Sequence, residues 1–147
     1  MGQLFNPACA MEGCENPRRS LNPRGIGGFY CPSCRTKLWQ TENPERHREN
    51  VRASKSRRRD AIRNFLRDYK TAAGCTDCGY NEHPAALEFD HLPEFEKSFN
   101  LSTAPFEGIA MERVLEEIAK CEVVCANCHA IRTAGRREEA RDALGAL

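Results

Sequence analysis

Apolar residues recur along this chain with two different periods. Ile62, Phe65, Leu66 and Tyr69 stand three and four apart, inside a stretch from Glu45 to Ala72 that holds neither Gly nor Pro. That is the spacing of one face of an α-helix. Pro44 suits the first turn of such a helix and Gly74 lies just past its end, so the pattern predicts a long helix over 45–72. In "ALEFDH", Leu87 and Phe89 instead alternate with polar neighbours, as in a half-buried strand. Residues 92–110 read as loop. Met111, Val114, Leu115 and Ile118 then return to the helical period, residues 122–124 form a short apolar-centred strand, and a final helix starts at Ala126. Ahead of the long helix, "NPRGIGGFY" supplies turn residues, and "CPSC" opens a short helix running toward Trp39.

Length and composition decide how such short elements can hold together. The chain has 147 residues, with 7% aromatic and 29% charged, too little apolar mass for one large core. Small modules then need staples. Nine cysteines fall as Cys9-x4-Cys14, Cys31-x2-Cys34, Cys75-x2-Cys78 and Cys125-x2-Cys128, with Cys121 left over. Disulfides are the competing reading, but no signal peptide is recognisable and the cysteine count is odd, which favours a reducing, cytoplasmic setting and metal ligation. Two structural zinc ions follow, one on Cys9, Cys14, Cys31 and Cys34, the other on Cys75, Cys78, Cys125 and Cys128. Cys121 reads as a small buried residue at a strand start. The longest apolar runs are too short for a transmembrane helix, so no membrane partner is expected. Three parts emerge: a zinc knuckle over 1–41, a basic connecting helix over 42–73, and a second zinc module over 74–147.

The formal charge of +1 hides a segregation. Residues 46–70 carry ten Lys/Arg against three acids, and residues 76–125 carry eleven Asp/Glu against three Lys/Arg. Arg48, Arg52, Lys55, Arg59, Arg63 and Arg67 follow one another at spacings of 4, 3, 4, 4 and 4, which confines them to roughly a third of the helix circumference. Like charges in a row repel, and a phosphate backbone relieves them. Double-stranded DNA is the expected partner of this row; a solvated helical linker is the alternative. Arg18, Arg19, Arg24, Arg35 and Lys37 give the knuckle a similar choice between DNA contact and a solvated cap. The acidic half suits a divalent cation.

The segment "CEVVCANCHAIRT" sets His129 directly after Cys128. Neighbouring residues of an α-helix point about 100° apart, so the two cannot easily share one ion. A strand ending in Asp90-His91, a returning strand and the final helix would bring Asp90, His91 and His129 together, with the four cysteines fastening the unit from the other side. Asp90 and His129 would hold a magnesium or manganese ion with open coordination positions. His91, with a reference pKa near neutrality, suits a general base. His47 and His83 have only bland readings, within the basic helix and before Pro84.

In "CTDCG", "LEFDH" and "CEVVCANCHAIRT", residues 75–133, about 40% of the chain, resemble the HNH endonuclease family in its zinc-stapled form. The resemblance implies a ββα-metal, treble-clef-like fold, His91 as general base, and Asp90 and His129 as ligands of the catalytic divalent ion. It also implies DNA cleavage to a 3′-hydroxyl and a 5′-phosphate, in a phage or bacterial homing-type or packaging role, with the partner protein of phage or host left open. One position departs from the family: its middle asparagine usually precedes the second Cys-x-x-Cys by several residues, where this chain has Lys120 and Cys121. Asn127 and Asn100 are the substitutes, Asn127 the better placed by sequence.

The expectation is a small, zinc-stabilised α+β protein acting as a metal-dependent HNH endonuclease that nicks or cuts DNA. Two other classes compete. A non-catalytic zinc-dependent DNA-binding protein would be retained on DNA without cutting it, and a zinc scaffold for protein contacts would not be retained at all.

Overall fold

The structure, a computed structural model, describes residues 8–17 and 29–145. The chain divides into two compact units, Met1–Ala53 and Ser54–Leu147.

In the first unit, α1 (Pro32–Glu42) begins where Cys31 caps the helix, its Sγ accepting from the Cys34 amide at 3.4 Å, with Pro32 in the first turn. It stops at Asn43, whose backbone amide bonds back to the Trp39 carbonyl. Cys9, Cys31 and Cys34 form the buried cluster here, with Met11 and Cys14 against it. The knuckle's turn segment and Arg18, Arg19 and Arg24 lie outside the described residues.

The helix α2 (Pro44–Ala73) runs for 30 residues, and the boundary between the units falls inside it. It ends at Gly74, which adopts a φ of 70° that only glycine takes without strain. Within the second unit, Ile62 and Leu66 pack with Leu101, Ala104, Val114 and Ile118, and Phe65 lies against them, as the apolar stripe required. Tyr69 stacks between Phe65 and Phe89 while keeping 38% of its surface exposed.

After a single helical turn at Pro84–Ala86, β1 (Leu87–His91) pairs antiparallel with β2 (Cys121–Cys125), from Leu87 opposite Cys125 to His91 opposite Cys121. Between them lie α3 (Ala104–Glu107) and α4 (Met111–Ile118), and α5 (Ala126–Gly145) follows β2 without a break. The segment read as loop thus contains the short α3, four residues before the left-handed Gly108. A second core of Leu87, Val123, Val124, Cys75 and Cys125 lies at the sheet. The result is a small α+β protein with a two-stranded antiparallel sheet and two four-cysteine groups.

Candidate metal centre and adjoining cavity

The two cysteine groups stand as the spacing required. In each of the sets Cys9, Cys14, Cys31, Cys34 and Cys75, Cys78, Cys125, Cys128, all four Sγ atoms lie within 4.8 Å of one another. Tetrahedral zinc at about 2.3 Å from each sulfur needs such a cage. Burial pushes the Cys75 thiol up, but amide hydrogen bonds led by Cys125 and Cys78 outweigh it and bring it down to about 6. Cys9 falls to about 7 for the same reasons, with the Cys31 and Met11 amides opposing its burial. The companions move the other way: the sulfurs of Cys14 and Cys31, together with burial, push Cys34 up to about 12. Without a metal each cage therefore favours one thiolate and resists further charge. A dication removes that resistance, and both groups fit structural zinc ions.

The second group is bolted to an ionisable cluster. Alternation along β1 puts Glu88 and Asp90 on one side of the strand, and α5 lies against that side. His129, Arg132 and Arg136 follow at i, i+3 and i+7 on the facing stripe of α5. His129 Nδ1 bonds Glu88 Oε2, and its Nε2 lies 3.5 Å from Asp90 Oδ1. Arg132 reaches Asp90 Oδ2 at 3.2 Å, Glu122 Oε2 at 2.7 Å and Asp77 Oδ2 at 2.8 Å, so one guanidinium links β1, β2 and the Cys75–Cys78 turn. Arg136 Nη1 donates to Asp90 Oδ1 at 3.0 Å. Asp90 is only 4% exposed. Burial would raise its carboxyl, but Arg136 and Arg132 hold it below the ordinary range.

Asp90 Oδ1 and His129 Nε2 thus stand 3.5 Å apart. Two cis ligands at about 2.1 Å from an ion stand roughly 3 Å apart, close to the separation of Asp90 Oδ1 and His129 Nε2. Glu88 engages Nδ1 of His129 and turns Nε2 toward Asp90.

His91 alternates to the side of β1 opposite Asp90. It ends β1 in register, and with His129, Glu88, Lys97, Asn100 and Ser102 it lines a cavity of about 330 Å³. Its Nε2 lies 2.9 Å from Oε1 of Glu117, which is 1% exposed. Asn100 lines this cavity; Asn127 does not. Asn127 is exposed at the start of α5, two residues before His129, and two residues of helix turn it about 200° away. Of the two asparagines the sequence offers, Asn100 is the one at the cavity.

The basic row is not uniform. Arg48, Arg52 and Lys55 are exposed. Arg63 bonds Asp60 at 3.1 Å and Arg59 bonds Ser56, and both guanidiniums lie within 6 Å of the Phe106 ring centre. His83 caps the Pro84–Ala86 turn and His47 meets Trp39 edge to face, so both keep their bland readings.

Glu88, Glu117, Arg132 and Arg136 escaped the sequence reading. Signals existed for all four: Glu88 shares Asp90's strand side, the arginines share His129's helix stripe, and Glu117 stands three residues after Val114 and one before Ile118. The chain matches no family profile, no curated protein and no solved structure. No helix among the described residues is long and apolar enough to cross a membrane.

Proposed function

We propose that the second unit is a divalent-cation-dependent endonuclease of the HNH type, acting on double-stranded DNA. The observation that carries this reading is the convergence of Asp90 Oδ1 and His129 Nε2, with His91 lining the same cavity as His129. Asp90 and His129 would hold a magnesium or manganese ion, which would supply charge stabilisation to the phosphate and the leaving oxygen. His91 accepts the proton of the attacking water. Lys97 and Asn100, on the loop wall of the cavity, are available to phosphate oxygens. Glu88 fixes the His129 ring. The exposed Arg48, Arg52 and Lys55 give the DNA backbone a sequence-independent hold. The homing-type or packaging role in phage or bacteria rests on the family resemblance alone.

One observation favours the non-catalytic DNA-binding alternative. Both Asp90 oxygens already accept from guanidiniums of Arg132 and Arg136, a neutralisation that needs no ion. Supercoiled plasmid incubated with the zinc-loaded protein separates the two. The nuclease converts it to nicked or linear DNA with magnesium and stops when magnesium is withheld. Retention of intact plasmid on the protein, whatever the magnesium concentration, would establish the alternative.

A further inference from the structure

The sequence of α4 places a carboxylate where packing alone would choose an apolar side chain. Val114 and Ile118 are buried in the core, and Glu117 on the same stripe is 1% exposed. A buried ion pair is weak evidence of a stabilising role, because desolvation consumes much of the Coulomb gain. Its geometry says more. Oε1 of Glu117 takes His91 Nε2 at 2.9 Å and the Ser98 amide at 2.8 Å, with the Phe99 amide at 3.4 Å. Oε2 takes Lys120 Nζ at 2.8 Å. Lys120 also donates to the Glu96 carbonyl at 3.1 Å and to Ser98 Oγ at 2.7 Å. One anion therefore fastens both walls of the cavity: the end of β1, through His91, and the 96–99 segment that carries Lys97 and leads to Asn100 and Ser102.

We infer that Glu117 is a positioning residue for His91, a role that rests on the nuclease reading and adds to it a residue outside the predicted set. An ionised carboxylate accepts hydrogen bonds only, so His91 must present Nε2–H to it. A neutral His91 then keeps Nδ1 as its one basic nitrogen, on a ring that lines the cavity. Glu117 fixes the tautomer and the orientation of the ring, and Lys120 with the two amides fixes Glu117. The carboxylate touches neither substrate nor ion.

Two readouts test this on the zinc-loaded protein. Long-range ¹H–¹⁵N spectra of the imidazoles, recorded where the rings are neutral, report the tautomer without any need for activity. Plasmid cleavage under magnesium reports kcat and KM. The parent should show His91 as the Nε2–H tautomer. Glu117→Ala should give a mixture of tautomers and lower kcat by roughly 10- to 100-fold, a part of the full general-base contribution, with KM within about 2-fold. Glu117→Gln, which keeps the shape and an acceptor oxygen, should recover part of that loss, and it carries the test if the alanine variant does not fold. An Nδ1–H tautomer in the parent overturns the inference. So does parental kcat in a folded Glu117→Ala protein with two zinc ions, since a merely structural role would lower the melting temperature alone. If the parent cuts no DNA, the nuclease reading falls, and the tautomer spectra still decide the Glu117–His91 pairing.

Discussion

The two cysteine cages have the same chemistry and different surroundings. Around the first cage, among the described residues, the buried cluster is Cys9, Cys31 and Cys34 with Met11 and Cys14 against them. Around Cys75, Cys78, Cys125 and Cys128 it includes Leu87, Val123 and Val124 of the sheet, with Tyr80 and Phe89 packed on it. Among the described residues the first cage packs on little besides itself, and the second packs on a sheet core. A cavity adjoins each cage, the first lined by Cys14 and Cys34, but only beside the second do the described residues place a histidine next to a cage cysteine and two carboxylates on the facing strand. A cage with a core of its own leaves its flanking residues free for other chemistry.

Metal removal should break this comparison most visibly. Structural zinc contributes folding free energy of roughly 10 kcal/mol or more in small modules. Cys31→Ser should lose one of two zinc ions and the α1 structure, while plasmid cleavage by the second unit survives. Cys125→Ser should lose the other zinc and all cleavage. Elemental analysis with amide hydrogen exchange reads both, and a Cys31→Ser protein that keeps α1 protected would contradict the contrast.

The next effect lies within the second unit. His91→Ala should reduce cleavage on the order of 100- to 10,000-fold with two zinc ions still bound. His129→Ala and Asp90→Ala should lose activity that excess magnesium or manganese partly restores. Zinc loss in His129→Ala would show that the two metals are not divided between Cys128 and its neighbour.

A smaller effect is acid dependence. Burial would raise the Glu117 carboxyl, but Lys120, His91 and the Ser98 and Phe99 amides hold it down to about 2, against an ordinary 4.5. A depressed folded pKa stabilises above the unfolded value, and that stability is lost as pH falls through the folded one. Glu117→Gln should therefore be less stable than the parent by about 1–3 kcal/mol at neutral pH. The gap should close between pH 4.5 and 2, as read by denaturant midpoints. A gap constant across that range would remove the charge from the explanation.

The smallest effect concerns the basic row. Replacing Arg48, Arg52 and Lys55 by Ala should flatten the salt dependence of DNA binding by up to about 0.9 in log–log slope per lost phosphate contact. Replacing Arg59 and Arg63 should flatten it less, because Asp60 and Phe106 already engage them. Equal slopes for the two sets would mean that those contacts open on binding.

The elements were legible where period and punctuation agree. Pro44 and Gly74 bracket α2, and the alternation of "LEFDH" marks β1. The short α3 was not, because four residues with Pro105 inside carry no period. In α4 the apolar spacing nominated Leu115, which is 47% exposed, and passed over Glu117, which is buried. The spacing puts Glu117 on the Val114–Ile118 stripe, but what makes its burial tolerable, partners at His91 and Ser98, lies 26 and 19 residues away and leaves no mark in the period. The zinc ligands were legible because metal coordination fixes residue type and spacing at once. Asn100 was not, since its place at the cavity depends on how residues 96–103 fold back over α4.

The second cage also has a consequence for chain length. Cys78 and Cys125, neighbours in space, stand 47 residues apart along the chain. An ion that clasps both ends takes the conformational entropy of that excursion out of the unfolded ensemble at a single point. Closure entropy grows only logarithmically, so even doubling such a loop adds about 0.6 kcal/mol. The exposed stretch at residues 93–96, ahead of the amides that grip Glu117, is thus a place where insertions would lengthen the excursion at little thermodynamic penalty. The clasp makes the site insensitive to the length of what it encloses.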